Sequence, residues 1–379
     1  MKAAIIYDRF LNSDGTNYVV GGIETYLLNL AKLCVENDMQ TFIWQSGSHN
    51  FKTVLKNITV LGVPVQQMRA SRRINKLVST AIKNVDLKND LVIFGADRYA
   101  RPIGSNRCIS IQHGIAIDLP MYHHEHRGRL QNLLGDRIYQ AIRRQRALKE
   151  YLQCPNRVCV DYNYLNWYRT FLYSEPRGRE WVIPNFTRIA SRTELTDRHK
   201  DNKTIRILFA RRFIKYRGTR LMAEAVNNIL QNHSNVNVTF AGEGPDEAWL
   251  RAAFNNDARI NFTKYHPDDA IKFHLQYDIA VVPSLGSEGT SLAVAEAMGA
   301  HCAVVATAVG GITNMIINGY NGMLCMPNVS DLRQCIETLI DDKKKMAEIS
   351  ARGYETAKEA FSLEKWRKAW TTVINQVLA

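Results

Sequence analysis

Residues 278–298 read DIAVVPSLGSEGTSLAVAEAM, and this stretch decides the fold. After Asp278 comes a short apolar, β-branched run closed by Pro283, so a buried strand is expected over 278–282. A Gly-containing loop follows and leads into a helical run over 291–299. A continuously apolar strand that feeds a helix is the unit of a parallel sheet covered on both faces. Such sheets bind ligands beyond the carboxyl ends of their strands, which is where EGTSLAVAE, Glu288 to Glu296, falls. A helix N-terminus there offers free N–H groups and the positive end of the helix dipole, both suited to a phosphate or an oxyanion. At about 1.5 Å per helical residue the two carboxylates stand roughly 10 Å apart. That separation lets one hold a sugar and the other a ribose across a diphosphate. The plain alternative is a solvent-exposed loop glutamate and a surface-helix glutamate.

The same alternation runs outward in both directions. Strands are predicted at 205–210, 236–241, 259–263, 278–282 and 302–306 in the second half, most of them followed by helices. In the first half they are predicted at 2–7, 41–45, 91–95, 107–111 and 157–160, with helices at 22–36, 72–85 and 129–152. The expected fold is α/β, with two Rossmann-like doubly wound domains facing across a cleft. The 379 residues suit two domains, at roughly 100–200 residues each. Pro, Gly and charge cluster in SEPRGRE just before WVIPNF, which divides a first domain, 1–180, from a second, 181–362. Residues 363–379 read as a terminal helix opened by Ser362. Its Trp366 and Trp370, four apart, call for a large apolar surface, so it is expected to pack back on the first domain.

Four further segments lie at strand ends. Gly21 and Gly22 open the first helix and allow close backbone approach to a phosphate; a tight turn is the ordinary reason for such a pair. The run FARRFIKYRG, 209–218, sets Arg211, Arg212, Lys215 and Arg217 where a leaving diphosphate would need cations, unless it is an ordinary basic loop. FAGEGP, 240–245, puts Gly242 in a tight strand–helix connection that also suits a cleft wall. IQHG, 111–114, ends a strand with His113, which either faces the cleft or is a satisfied structural histidine. No Asp-x-Asp stands at a strand end, and Asp268 and Asp269 read as helix-capping acids, so no metal site is expected.

Taken in order, these segments resemble the retaining glycosyltransferases of the GT-B fold, in glycosyltransferase family 4, over nearly the whole chain. GGIETYLLNLAKL looks like that family's first helix and VIPN, 182–185, like its entry to the C-terminal domain. VVPSLGSEGTSLAVAEAM looks like its E-x7-E signature, the most specific element. The resemblance implies that Glu288, His113, Arg212 and Arg217 carry the catalysis. Glu288 would meet the donor-sugar hydroxyls and His113 the C6 side of the sugar. Arg212 and Arg217 would grip the diphosphate with Lys215 beside them, and Arg211 is the alternative to Arg212 because the spacing is ambiguous by one. The backbone of Gly289, Thr290, Ser291 and Leu292 would lie by the sugar and diphosphate, and Glu296 by the ribose. Gly21 and Gly22 would approach from the first domain, Gly242 would line the cleft, and the backbone of Lys264 and Tyr265 would meet the nucleobase.

The resemblance further implies an acceptor-binding first domain and a donor-binding second one. The reaction would be hexosyl transfer with retention, independent of metal, with a nucleotide sugar as co-substrate and no other cofactor. The acceptor would be a glycan or a lipid-linked molecule in cell-surface polysaccharide synthesis, whether lipopolysaccharide, capsule or exopolysaccharide. Two departures bear on donor identity: Thr290-Ser291 stand where the family often has Phe-Gly, and Arg217 replaces its usual lysine. Rival readings are a sugar-nucleotide epimerase of the same fold, a basic nucleic-acid-binding protein and a catalytically inactive scaffold.

An apolar content of 46% with 22% charged residues is ordinary for a soluble globular chain. No apolar run reaches the ~18 residues of a membrane span. MKAAIIYDRF reads as a first strand without the apolar core and cleavage site of a signal peptide, so a cytoplasmic protein is expected. The seven irregularly spaced cysteines then read as reduced, buried thiols. Net charge is +13, of which residues 1–180 carry +10 and 181–379 carry +3. An anionic partner for the first half follows: lipid headgroups, a diphosphate-linked acceptor or nucleic acid. Without an aromatic platform or a recognised module, no nucleic acid is expected.

Residues 127–149 hold Arg127, Arg129, Arg137, Arg143, Arg144, Arg146 and Lys149, with Leu133, Leu134, Ile138 and Ile142 at helical spacing. A second basic stretch holds Arg69, Arg72, Arg73, Lys76 and Lys83. Both suit core-packed helices with solvated basic faces. They also suit docking on anionic lipid at the inner face of the cytoplasmic membrane.

Overall fold

The computed structural model describes residues 1–19, 21–115, 129–172, 177–196, 203–254, 257–286 and 288–379, and of 129–132 the backbone only. The first sheet contains β1 Lys2–Ile6, β2 Gln40–Gly47, β3 Phe51–Leu55, β4 Ile58–Pro64, β5 Leu91–Phe94, β6 Cys108–Gln112, β7 Asn156–Cys159 and β8 Arg179–Val182. Their order is β3-β4-β2-β1-β5-β6-β7-β8. The second contains β9 Ile205–Ala210, β10 Val236–Ala241, β11 Ile260–Thr263, β12 Ile279–Val282, β13 Ala303–Thr307 and β14 Met323–Cys325, in the order β11-β10-β9-β12-β13-β14. Strands such as LVIF in β5 and IAVV in β12 are buried along their whole length because helices cover both faces. The strand order reverses between β1 and β5 in one sheet and between β9 and β12 in the other. Those reversals open the crevices in which α/β sheets bind ligands.

Four strands are absent from the sequence reading. β3 and β4 form an antiparallel hairpin at the sheet edge, so the first sheet is not purely parallel. Their two-residue turn is Lys56–Asn57, with φ of 48° and 68°, the conformation that matches strand twist in a tight hairpin. The alternate residues of β3 face solvent, so no continuous apolar run marks it. β8 reads REWV and looks like linker, yet it pairs parallel with β7, so the first domain extends two residues beyond 180, through Val182. β14 is three residues long.

The chain crosses between domains twice, and the two crossings pair with each other. Thr187 N donates to Phe361 O at 2.7 Å and Leu363 N to Thr187 O at 3.0 Å. The last helix, Leu363–Leu378, sinks Trp366, Trp370, Val373, Ile374 and Val377 into the core built on β1 and the helix Gly22–Glu36. Trp370 Nε1 donates to Tyr26 Oη at 2.8 Å, which satisfies a buried indole N–H. The helix Ala70–Ile82 buries Ile74, Leu77, Val78 and Ala81 and turns Arg72 and Lys76 outward, with Arg73 half-buried against Asp8. The helix Arg129–Tyr151 kinks at Gly135, where φ is 75°, and buries only Leu148 and Tyr151 among its described side chains. All seven cysteines are free thiols and six are buried. Among the described residues no helix is long and apolar enough to cross a membrane.

Candidate functional site

The loops that follow β9, β10 and β12 hold one another. Arg211 N donates to Ala241 O at 3.0 Å and Phe213 N to Glu243 O at 2.8 Å, which lays the 210–218 loop on the turn after β10. That approach needs glycine: φ is 151° at Gly242, and a Cβ there would stand 2.1 Å from Arg211 O. Gly218, with φ of 79°, lets the same loop close on β12, since a Cβ there would meet Pro283 O at 1.8 Å.

Glu288 sits at the centre. Its Oε1 accepts from Arg211 Nη2, from Arg217 Nη1 and, at 2.5 Å, from Ser284 Oγ, and Ser284 in turn accepts from Arg211 Nη1. Burial alone would raise this carboxyl, but Arg211 and Arg217 outweigh it and hold Glu288 at about 2. The two arginines differ. The Arg211 side chain is 6% exposed and fixed, whereas Arg217, on the short turn Lys215–Arg217, is 27% exposed and lies over the Tyr216 ring. Of the two arginines left open by spacing, Arg211 reaches Glu288; Arg212 and Lys215 are exposed.

The segment after Glu288 meets the first domain. Gly114 and Gly289 pack backbone to backbone, for a Cβ on Gly114 would stand 2.9 Å from Gly289 N. Thr290 Oγ1 donates to Val160 O, and Asn185 Nδ2 donates to Thr290 O at 2.5 Å. Ser291 begins the helix Leu292–Gly299, which has no side-chain cap and no acidic residue in its first turn. Gly22 opens the opposing helix against it, with a Cβ position 3.2 Å from Leu292 Cδ1. Gly21 is its extended N-cap.

His113 Nε2 donates to Gly95 O at 2.9 Å and its ring meets Tyr26 edge to face. Burial lowers it to about 4, so near neutrality it is an uncharged imidazole with Nδ1 as acceptor. Glu296 lies within the helix Leu292–Gly299, where burial raises its carboxyl to about 7. Tyr265 stacks on Phe273 at 4.5 Å beside it, and Lys264 pairs with Glu243 at 2.5 Å on the surface.

The sequence reading missed Ser284 and Asp161. Asp161 follows β7 and caps the helix Tyr162–Arg169 through Oδ1, which accepts from Tyr164 N at 3.0 Å. Its buried Oδ2 has no hydrogen-bond partner among the described residues and stands 3.0 Å from the Cβ positions of Gly289 and Gly311. Burial raises this carboxyl. An Asp directly after an apolar strand signals the cap; the facing glycines, over 120 residues away, leave no local signal.

The family model for glycosyl transferases group 1 matches residues 191–356, which contain every C-terminal element of the site. The chain is 30% identical over 162 residues, 42% of this chain and 44% of the relative, to an uncharacterized glycosyltransferase of Methanocaldococcus jannaschii. It is 28% identical over 141 residues, 36% of this chain and 34% of the relative, to a glycogen synthase of Mycobacterium tuberculosis. This chain thus spans less than half the length of the curated relatives it matches.

Solved structures extend the likeness to both domains. A sucrose-phosphate synthase of Thermosynechococcus elongatus superposes with a TM-score of 0.77 at 14% identity, covering 99% of this chain and 98% of that one. Anabaena HepE, in complex with UDP and glucose, superposes at 0.70 with 16% identity and 99% of both chains. The fold is GT-B, and residues 191–356, which the family model matches, contribute the half of the cleft that carries Glu288, Arg211, Arg217 and Glu296. Among the described residues no group of three or more His, Cys, Asp or Glu is placed to hold a metal ion.

Proposed function

We propose that this chain is a retaining hexosyltransferase that moves a sugar from a nucleotide-sugar donor to a glycan or lipid-linked acceptor in cell-surface polysaccharide synthesis. The observation that carries the reading is the division of one carboxylate between a fixed and a more exposed arginine, at the open start of the helix Leu292–Gly299. When a donor enters, Arg217 leaves Glu288 for the diphosphate while Arg211 stays. Glu288 then keeps one cationic partner and frees an acceptor for a sugar hydroxyl. Arg217 and the helix N-terminus supply the positive charge that a departing diphosphate needs, so we propose that catalysis proceeds without a metal. The Glu296 carboxylate accepts from the ribose, the backbone at Lys264 and Tyr265 meets the base, and neutral His113 takes the C6 side of the sugar. Retention follows if the acceptor oxygen attacks on the face that the diphosphate leaves, with a phosphate oxygen taking its proton.

HepE was solved with UDP and with UDP-glucose, and the full-length fold likeness extends the same chemistry to this cleft as a proposal. A thermal-shift screen against UDP-, GDP-, dTDP- and ADP-sugars is expected to give one stabilising base class. Proton NMR of the first-formed product then reads the anomeric configuration. No shift with any donor, or an inverted product, contradicts the reading. A sugar-nucleotide epimerase of the same fold would instead convert the nucleotide sugar to its epimer without consuming an acceptor.

The same reading places the enzyme on the inner face of the cytoplasmic membrane. In the helix Arg129–Tyr151, Leu133, Ile138 and Ile142 are 80%, 56% and 47% exposed among Arg137, Arg144 and Arg146. Apolar side chains in water amid arginines suit an anionic lipid surface. The helix Ala70–Ile82, by contrast, buries its apolar face and takes no such part. Co-sedimentation with anionic but not neutral vesicles is expected, and equal binding to both contradicts the docking.

A further inference from the structure

Beside the cleft, at the carboxyl edge of the first sheet, a second polar cluster takes no part in the donor chemistry. Asp8 follows β1, Ser46 ends β2, and Arg98 follows β5, on three neighbouring strands. Asp8 Oδ1 accepts from Ser46 Oγ at 2.5 Å, and Oδ2 accepts from Arg73 Nη2 at 3.0 Å and Arg98 Nη2 at 3.5 Å. Arg98 also donates to Tyr99 Oη and lies over its ring at 4.8 Å, so aromatic packing fixes its plane. Arg101, close by, is held by Asn75 Oδ1 at 3.0 and 3.1 Å. Half of the Arg98 side chain and a quarter of Arg73's remain in solvent, and Arg73 Nε has no partner among the described residues.

Two guanidiniums on one carboxylate leave a surplus positive charge. Arg73 stands in the first turn of the helix Ala70–Ile82, whose start has neither a side-chain cap nor an acidic residue, so the helix dipole adds to the surplus. Arg9, next to Asp8 in the chain, and Arg69 and Arg72, at the start of the same helix as Arg73, are exposed. A carboxylate that orients two planar cations without neutralising both makes a site for an oxyanion, which the arginine forks match in bidentate fashion. The shelf lies over β1 and β5, one strand from β6 and the His113 that follows it, on the edge whose Gly22 and Gly114 touch the second domain at Leu292 and Gly289.

We propose that the acceptor carries an anionic group, a phosphate ester or a carboxylate, which Arg73, Arg98 and the open start of the helix Ala70–Ile82 hold while its hydroxyl reaches the donor sugar. This rests on the reading of the cleft as a glycosyl-transfer site, and it narrows the acceptor to an acidic molecule. The basic surplus of the first domain is then concentrated in a substrate subsite as well as on the surface helix.

The test is calorimetric titration of the full chain with three probes that share a carbon frame: glycerol 3-phosphate, glycerate and glycerol. A saturating nucleoside diphosphate is present throughout, to fill the donor site. One or both anions are expected to bind and glycerol not to, and the stronger anion tells phosphate ester from carboxylate. Arg98→Gln and Arg73→Gln are each expected to weaken anion binding by about tenfold or more, since each removes charge-assisted hydrogen bonds. Arg98→Lys is expected to recover part of it, while Arg217→Gln leaves it intact and weakens the nucleotide. Arg98 is half exposed, so its variants are expected to fold. Binding of glycerol equal to that of the anions, or anion binding unchanged in both glutamine variants, overturns the proposal. Failure of every nucleoside diphosphate to bind overturns the glycosyl-transfer reading instead, and the anion arms still report on the shelf.

Discussion

Glu288 accepts hydrogen bonds from two arginines and a serine in a buried setting, so removing its charge leaves Arg211 uncompensated where water cannot reach it. Breaking a buried pair by deleting one partner costs about 3–5 kcal/mol, so Glu288→Gln is expected to lower the urea midpoint by a corresponding amount. A near-unchanged midpoint would show the pair to be peripheral. Glu296 behaves in the opposite sense. Its carboxyl titrates at about 7 in the fold against an ordinary 4.5, so the fold favours the protonated form. That contribution is full below about 4.5 and is lost as pH rises through about 7. Unliganded stability is therefore expected to fall between these values, and Glu296→Gln to flatten the fall; a parallel profile in the variant contradicts the assignment. A ribose donating to ionised Glu296 reverses the preference, so donor binding near pH 6.5 is expected to release a proton, seen as a buffer-dependent heat.

At the scale of elements, glycines let three loops interlock. Gly218→Ala puts a Cβ at φ 79° against Pro283 O. The strain is expected to cost about 1–3 kcal/mol and to weaken nucleotide binding, because it displaces Arg217 next to it. Differential scanning fluorimetry with and without nucleotide reads both effects.

The same scale shows what the sequence made legible. The continuously apolar strands β5 and β12 announce themselves, because burial on both faces leaves no polar position. The hairpin β3–β4 does not, because an edge strand with one face in water has a weak pattern and its turn is a plain Lys-Asn. The five site segments could be placed because each sits at a strand end. Choosing Arg211 over Arg212 was not possible, because the backbone beyond the strand decides which of two neighbours turns inward. Asp161 became a site residue only when Gly289 and Gly311 closed over it.

For the molecule as a whole, two crossings and one terminal helix join the domains. The 187 and 361–363 segments pair, and Trp370 locks to Tyr26 in the first domain's core. Trp370→Ala removes a fully buried side chain and is expected to cost about 3–5 kcal/mol, and to expose the paired crossings to faster amide exchange. In the proposed reaction the second domain supplies carboxylates and arginines and the first domain Gly22, His113 and the arginine shelf, so the proposal needs both halves together.

The measurement that bears most directly on this convergence is a crystal structure of the full chain with the nucleoside diphosphate selected by the donor screen. The diphosphate is expected between Arg217 and the start of the helix Leu292–Gly299, with the ribose on Glu296 and Glu288 still paired to Arg211. A nucleotide bound elsewhere, or a diphosphate that touches neither Arg217 nor the 289–292 backbone, contradicts the account.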